Sequence, residues 1–214
     1  MNNVLTIIGV GPGISLGVAR RFAREGFAVA LISRDLPKLQ GYVADMQKDG
    51  VKAAAFAYNS ADSHSLEAAL KQVETTLGAT SVLHYNAGAL HPGSLLDETA
   101  DSLTADFRVN VANVVTAVNA VRGQMTAGEG AVLLTGGGLA YAPWAGYASL
   151  SLGKAGIVTL AHLLSDTLKP AGIYVGTVTV SGSVKPTADK HTPDNIAEQF
   201  WKLYQDRSAV EMRF

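Results

Sequence analysis

The stretch YASLSLGK, residues 147–154, begins on a tyrosine and ends on a lysine. Seven residues turn a helix by about 700°, some 20° short of two turns, and advance it about 10 Å, so Tyr147 and Lys154 would share a face. Helical side chains lean toward the N-terminus, which carries the ammonium back toward the phenol. An ammonium beside a phenol favours phenolate, and a phenol so placed can give or take a proton. Just upstream, GGGLAYAPWAGY holds Tyr141, which could supply a second hydroxyl or simply pack beside Pro143 and Trp144.

A second kind of chemistry is readable at the chain start. After LTII comes GVGPGISLGVARRFAREG, a glycine-rich turn that opens a helix marked by Ile14, Val18 and Phe22. Gly9, Gly11 and Gly13 permit positive φ and close backbone approach, while the helix start at Ile14 offers free N–H groups and a positive dipole end to a pyrophosphate. Its place after a strand and before a helix points to a dinucleotide turn, the other reading being a plain tight βα turn. The second strand ends ISRD. A carboxylate at that tip would hold the ribose hydroxyls of NAD(H), whereas an arginine would accept a 2′-phosphate. Ser33 and Arg34 stand there, which favours NADP(H) as cofactor over NAD(H), unless Arg34 only pairs with Asp35.

The elements that position these residues alternate. Apolar, β-branched runs at 4–9, 27–33, 52–57, 81–85, 130–135, 173–180 and 209–214 predict strands, and helical periods cover 14–25, 35–49, 63–77, 99–126, 146–169 and 193–205. Alternation of this kind predicts an α/β Rossmann fold, a doubly wound parallel sheet of about seven strands flanked by helices, as a single domain over residues 1–214. With 214 residues and 48% hydrophobic side chains, one sizeable core is expected.

Charge and composition narrow the partners. Lys+Arg 17 against Asp+Glu 18 gives a net charge of −1, so no basic face points to nucleic acid or an anionic membrane. Cys 0 removes disulfides and thiolate chemistry and is compatible with a cytoplasmic location. His64, His84, His91, His162 and His191 show no metal-ligand spacing, so no metal is expected. The start reads as a buried strand rather than a signal peptide, and no apolar run approaches transmembrane length.

Four motifs stand in order: the glycine turn, NAG at 86–88, VNV at 109–111 and YASLSLGK. In this order and spacing the chain resembles the short-chain dehydrogenase/reductase family over essentially its whole length. The resemblance implies that Asn86, Ala87 and Gly88 close over the adenine. It implies that Asn110 kinks its helix and holds a water linking the lysine to solvent, though Asn110 could also be a helix asparagine satisfied by a backbone carbonyl. Asn59 and Ser60 take the place of the family's adenine-contacting aspartate. In VTVSGSVKP, Gly182 and Val184 would face the nicotinamide amide, with Ser181 in place of a proline. Lys154 would also bind the nicotinamide ribose, and the helices equivalent to 99–126 and 146–169 pair across a two-fold axis, so a homodimer or homotetramer is expected.

Two departures follow from the same alignment. The family's usual catalytic serine falls on Gly137 and its usual tyrosine, four before the lysine, falls on Leu150, which would be a pocket wall. Tyr147, seven before Lys154, resembles instead the divergent branch typified by enoyl-acyl-carrier-protein reductases, whose first turn GxxxxxS is matched by Gly9 to Ser15. Thr135 is expected to point toward the core. Almost nothing remains of the family's lid at about 185–193, which suits a bulky or carrier-borne substrate. The implied activity is hydride transfer between NADP(H) and a carbonyl, alcohol or activated alkene, with Tyr147, Lys154 and Asn110 as catalytic residues. The other reading is a nucleotide-binding sensor or partner subunit of this fold that has lost turnover.

Overall fold

Runs such as VLTII, apolar but for Thr6, suit strands buried on both faces. In the computed structural model, which describes residues 3–214, these runs form one parallel sheet of seven strands in the order β3-β2-β1-β4-β5-β6-β7. The strands are β1 (Val4–Ile8), β2 (Ala28–Ser33), β3 (Ala53–Ala57), β4 (Thr80–Tyr85), β5 (Ala131–Gly137), β6 (Tyr174–Val180) and β7 (Glu211–Arg213). On one face lie α1 (Ile14–Ala23), α2 (Leu36–Lys48) and α7 (Pro193–Asp206); α3 (Ser63–Leu77), α5 (Asn113–Val121) and α6 (Ala148–Leu168) cover the other. A further helix, α4 (Ala100–Phe107), precedes α5.

Packing on the first face is aromatic. Phe22 meets Phe27 and Trp201 edge-on, with ring centroids 5.3 and 5.0 Å apart. Helices α1 and α7 approach so closely that a β-carbon on Gly17 would stand 2.6 Å from the Pro193 carbonyl oxygen. Arg21 closes this seam, bonded to Glu25 and Glu198 with its guanidinium 4.5 Å from the Trp201 ring.

Three expectations need correction. The helix anticipated over 99–126 is broken by a π turn, Arg108–Ala112, because Asn110 turns inward and its Oδ1 accepts a bond from the Ala89 N–H at 2.7 Å. The helix anticipated from 146 starts at Ala148, because Gly93 donates to the Gly146 carbonyl and accepts from the Ala148 N–H, holding the chain extended through Tyr147. Apolar length was also underestimated: Ala148–Ala171 is long and apolar enough by composition to cross a bilayer. Here its apolar residues Leu150, Ile157, Ala161, Leu164 and Leu168 are buried in the fold.

Strand order reverses between β1 and β4, so the loops leaving their C-terminal ends part and open a cleft of about 1900 Å³. A hydrogen-bonded chain that runs from the cleft into the core braces this point. Asn86 Nδ2 donates to the Gly9 carbonyl, Thr135 Oγ1 donates to Asn86 Oδ1 at 2.9 Å, and His84 Nε2 lies 3.0 Å from Thr135 Oγ1. A hydroxyl has one proton, and Thr135 spends it on Asn86, so His84 must be the donor from Nε2 and hold Nδ1 unprotonated. Burial pushes the His84 imidazole down to about 3.

That depression has a pH signature. Between about 3 and its unfolded value of 6.5 the imidazole binds a proton only in the unfolded chain, so its contribution to stability is complete above 6.5 and is lost as pH falls. Urea unfolding of the parent should lose up to about 1.4 kcal/mol per pH unit below 6.5 through this group. In His84→Gln that part of the slope should be absent; parallel pH–stability curves for the two proteins would contradict the assignment.

Candidate active site

The turn after β1 is shaped by two contacts. Gly9 has φ +86°, and a β-carbon there would lie 2.2 Å from the Ala87 nitrogen, so only glycine lets the first turn rest on the NAG turn. Ser15 Oγ accepts from the Gly11 N–H at 2.8 Å and donates to the Gly11 carbonyl at 3.0 Å, fixing the loop from inside. Beyond it, Gly13 caps α1 without a side-chain bond, which leaves first-turn N–H groups free. A β-carbon on Gly11 or Gly13 would meet no atom within 4 Å, so a hollow lies over that helix end, and a diphosphate fits its donors.

At the tip of β2, Ser33, Arg34 and Lys38 line the cleft. Asp35 does not pair with Arg34: its Oδ1 accepts from the Lys38 N–H at 3.1 Å and caps α2. Among the described residues neither Arg34 nor Lys38 takes part in an ion pair. Two side chains here escaped the sequence reading, Lys38 and the buried Tyr58, whose phenol is pushed up by burial against the pull of Arg34. Asn59 is a correction. Its Oδ1 turns back to the Ala61 N–H at 3.1 Å and it does not line the cleft, whereas Ser60 and Ala61 do.

Toward the middle of the cleft lies Lys154. Its stem runs over Gly137, where a β-carbon would come within 3.2 Å of Cγ, Cδ and Cε, and its Nζ donates to the Thr135 carbonyl at 2.8 Å. Burial brings the ammonium down to about 8. Asn110 is buried beside it: Gly153 packs so tightly that a β-carbon would stand 2.6 Å from Asn110 Nδ2, an atom with no protein partner. Thr135 points inward as expected.

Tyr147 is the N-cap of α6, with φ −138° and ψ 54°, rather than a residue within the helix. The helical-face geometry therefore does not apply to it, yet Tyr147, Leu150 and Lys154 all line the cleft. Among the described residues the Tyr147 hydroxyl makes no hydrogen bond, and its ring lies 5.1 Å from that of Trp144. Tyr141 resolves differently from both of its readings. Its hydroxyl donates to Glu211 Oε2 at 2.7 Å and Arg213 stacks 3.7 Å from its ring centroid, so it is tied to β7.

The floor is formed by Val180, Ser181, Gly182 and Val184. A β-carbon on Gly182 would fall 2.3 Å from His191 Nδ1, so a side chain there would displace the His191 ring. Ser181 replaces proline for a visible reason: its N–H donates to the Phe214 carbonyl at 2.8 Å, a bond proline cannot make.

On the opposite rim the structure brings together residues far apart in the chain. His91 Nε2 lies 2.7 Å from Asp106 Oδ2, and the same oxygen accepts from Ser149 Oγ at 2.6 Å. Donor atoms of His91, Asp106 and Glu98 fall within 4.8 Å of one another, with Glu98 accepting from Ser102 Oγ. The hydrogen bond to Asp106 and its charge raise the His91 imidazole above its ordinary range. No short-range spacing signals this group, because the loop after β4, α4 and the start of α6 assemble it.

Comparison with known proteins agrees with this architecture. A family model described as short chain dehydrogenase matches residues 3–195. The chain is 26% identical to 2,3-dihydro-2,3-dihydroxybenzoate dehydrogenase of Bacillus subtilis, over 96% of this chain and 74% of that one. It is 28% identical to 2-(S)-hydroxypropyl-CoM dehydrogenase 3 of Xanthobacter autotrophicus, over 97% and 91%. Among solved structures, a dehydrogenase/reductase from Sinorhizobium meliloti superposes with a TM-score of 0.89 at 24% identity, covering 100% of this chain and 94% of that one. A short chain dehydrogenase from Burkholderia cenocepacia in complex with NADP gives 0.87 at 26% identity, covering 100% and 96%. By family match, strand order and the cleft at the sheet's switch point, the chain belongs to the short-chain dehydrogenase/reductase family of oxidoreductases.

Proposed function

We propose that the protein is an NADP(H)-dependent oxidoreductase that works on a carbonyl, alcohol or activated alkene, with Tyr147 as proton donor or acceptor. The observation that carries this reading is Lys154, a buried ammonium laid over Gly137 on the same cleft wall as a tyrosine whose hydroxyl is uncommitted. Two relatives are named as dehydrogenases of hydroxylated compounds, which favours the alcohol–carbonyl pair over the alkene.

When bound, the nicotinamide supplies or accepts the hydride. Gly9, Gly11, Gly13 and Ile14 hold the diphosphate at the start of α1, and Ser33, Arg34 and Lys38 take the 2′-phosphate. Asn86, Ala87, Gly88 and Ser60 border the adenine, while Gly182 and Val184 border the nicotinamide. Lys154 binds the ribose and carries positive charge below about 8. Tyr147 gives a proton to, or takes one from, the reacting substrate atom. Asn110 Nδ2, which has no protein partner, would hold a water that links Lys154 to solvent. Gly137, with no hydroxyl to offer, supports the second reading, a cofactor-binding sensor or partner subunit without turnover.

A homodimer or homotetramer in the cytoplasm completes the proposal. Phe107, Leu152 and Leu163 are exposed apolar side chains on α4 and α6, and such a face calls for a partner. Sedimentation at micromolar concentration should show at least a dimer; a lone monomer would contradict it.

The activity is tested by following NADPH absorbance over aldehydes, ketones, quinones and enoyl thioesters. Tyr147→Phe should lower kcat on the order of 10²- to 10⁴-fold while leaving NADPH affinity unchanged. Tight binding without turnover in the parent would transfer the assignment to the sensor reading. Arg34→Ala should weaken NADPH binding about 10- to 100-fold, the worth of one charge-assisted hydrogen bond, and leave NADH binding unaffected. Equal loss for both cofactors would overturn the 2′-phosphate assignment.

A further inference from the structure

A phenol alone polarises a substrate oxygen poorly, and in this cleft the position that would hold a helping hydroxyl is Gly137. The other polar hydrogens near Tyr147 can be taken in turn. Thr135 spends its hydroxyl proton on Asn86, and Tyr141 spends its own on Glu211. Ser181 and Ser183 lie on the floor beyond β6. His91 remains, half-exposed and lining the cleft.

Three contacts tie the loop that carries His91 to the segment that carries Tyr147. Gly93, two residues along the same loop, bonds the backbone on both sides of Tyr147, through the Gly146 carbonyl and the Ala148 N–H. Ser149, two residues past Tyr147, shares Asp106 Oδ2 with His91. The loop after β4, α4 and the first turn of α6 are thereby joined at one carboxylate oxygen. Asp106 orients the imidazole through Nε2, and the other nitrogen, which has the Pro92 backbone beside it, is the one a substrate oxygen would have to draw away.

We propose that His91 is the second hydrogen-bond donor to the substrate's oxygen, taking from across the cleft the role a hydroxyl at position 137 would have, and that Asp106 is the residue that positions it. The proposal rests on the oxidoreductase reading above. His91 keeps its proton throughout, and the proton transferred comes from Tyr147. With Nε2–H given to Asp106, the proton offered to substrate sits on Nδ1, so the imidazolium is the working form. The charged and titratable groups around it are Asp106 and Glu98, with Asp101 on the same rim and Tyr147 and Lys154 on the facing wall. The two carboxylates favour that imidazolium, and Asp106 does so most. An exposed apolar rim of Leu90 and Trp144 beside it suits a substrate with an apolar body and one oxygen to be held.

The test is steady-state kinetics against pH on the best panel substrate, for the parent, His91→Ala and Asp106→Asn, with NADPH affinity measured alongside. In the parent, kcat/KM for reduction should fall as pH rises through the His91 titration. His91→Ala should lose on the order of 10²-fold in kcat/KM, lack that limb and bind NADPH as the parent does. Asp106→Asn should retain the limb but move it to lower pH, which a merely structural carboxylate would not do. Unchanged kcat/KM in His91→Ala, or a limb that stays in place in Asp106→Asn, would overturn the proposal. Should the parent turn over nothing, the oxidoreductase reading fails on its own, and His91 is then judged by its imidazole ¹⁵N resonance. A shift on adding a ketone to the NADP⁺ complex, absent in His91→Ala, supports the contact; an unmoved resonance removes it.

Discussion

The hydroxyl and carbonyl of Thr135 are the two points to which the rest of the cleft is tied. The hydroxyl joins β5 to β4 through His84 and to the first turn through Asn86, whose amide reaches the Gly9 carbonyl. The carbonyl takes the Lys154 ammonium from α6. The His84–Thr135 bond lies where water is excluded, so its loss would be costly, and through the part-buried bonds to Asn86 and Lys154 a single threonine sets the spacing of four elements. The neutral state of His84 is part of the same arrangement. A proton on Nδ1 would have no acceptor, and burial keeps it off.

Around that anchor the site is built as much by missing side chains as by present ones. Gly9 admits the NAG turn, Gly153 admits Asn110, and Gly137 admits the lysine stem. The last of these gives the apparent loss of a catalytic serine a structural side. A β-carbon at 137 would stand 3.2 Å from the methylenes that carry Nζ to Thr135, so a serine there would require the lysine stem to shift by a few tenths of an ångström. Leu150 fits this account as well, buried against the cleft wall where a phenol would otherwise stand.

Much of the fold was legible because its signals are local. Alternating β-branched runs and helical periods located every strand and most helices within a few residues, and the glycine turn and Lys154 stand where their contexts required. What was not legible depends on contacts between distant segments. The π turn at Arg108–Ala112 arises from an inward asparagine bonded to Ala89, and no periodicity reports a side chain's partner. Asn59 occupies an adenine-contacting place by alignment, but its short amide finds the Ala61 N–H two residues on, a local bond that outcompetes a distant one. Tyr141 was hidden for the opposite reason, its acceptor lying 70 residues away on the last strand.

The N-cap position of Tyr147 changes what controls the phenol. Within α6 its direction would be set by a rigid helix of 21 residues. Ahead of that helix it is set by backbone pairing with Gly93, by the turn from Trp144 and by stacking on the Trp144 ring. These supports belong to loops, and loops are the parts of a fold that move. The loop after β4 is in turn held to α6 by Asp106, through His91 on one side and Ser149 on the other. On the proposal above, a substrate that draws His91 toward itself would pull on the same stretch of backbone that carries Tyr147, and the two groups would move together. A tyrosine four residues before the lysine, fixed inside the helix, would have no such coupling.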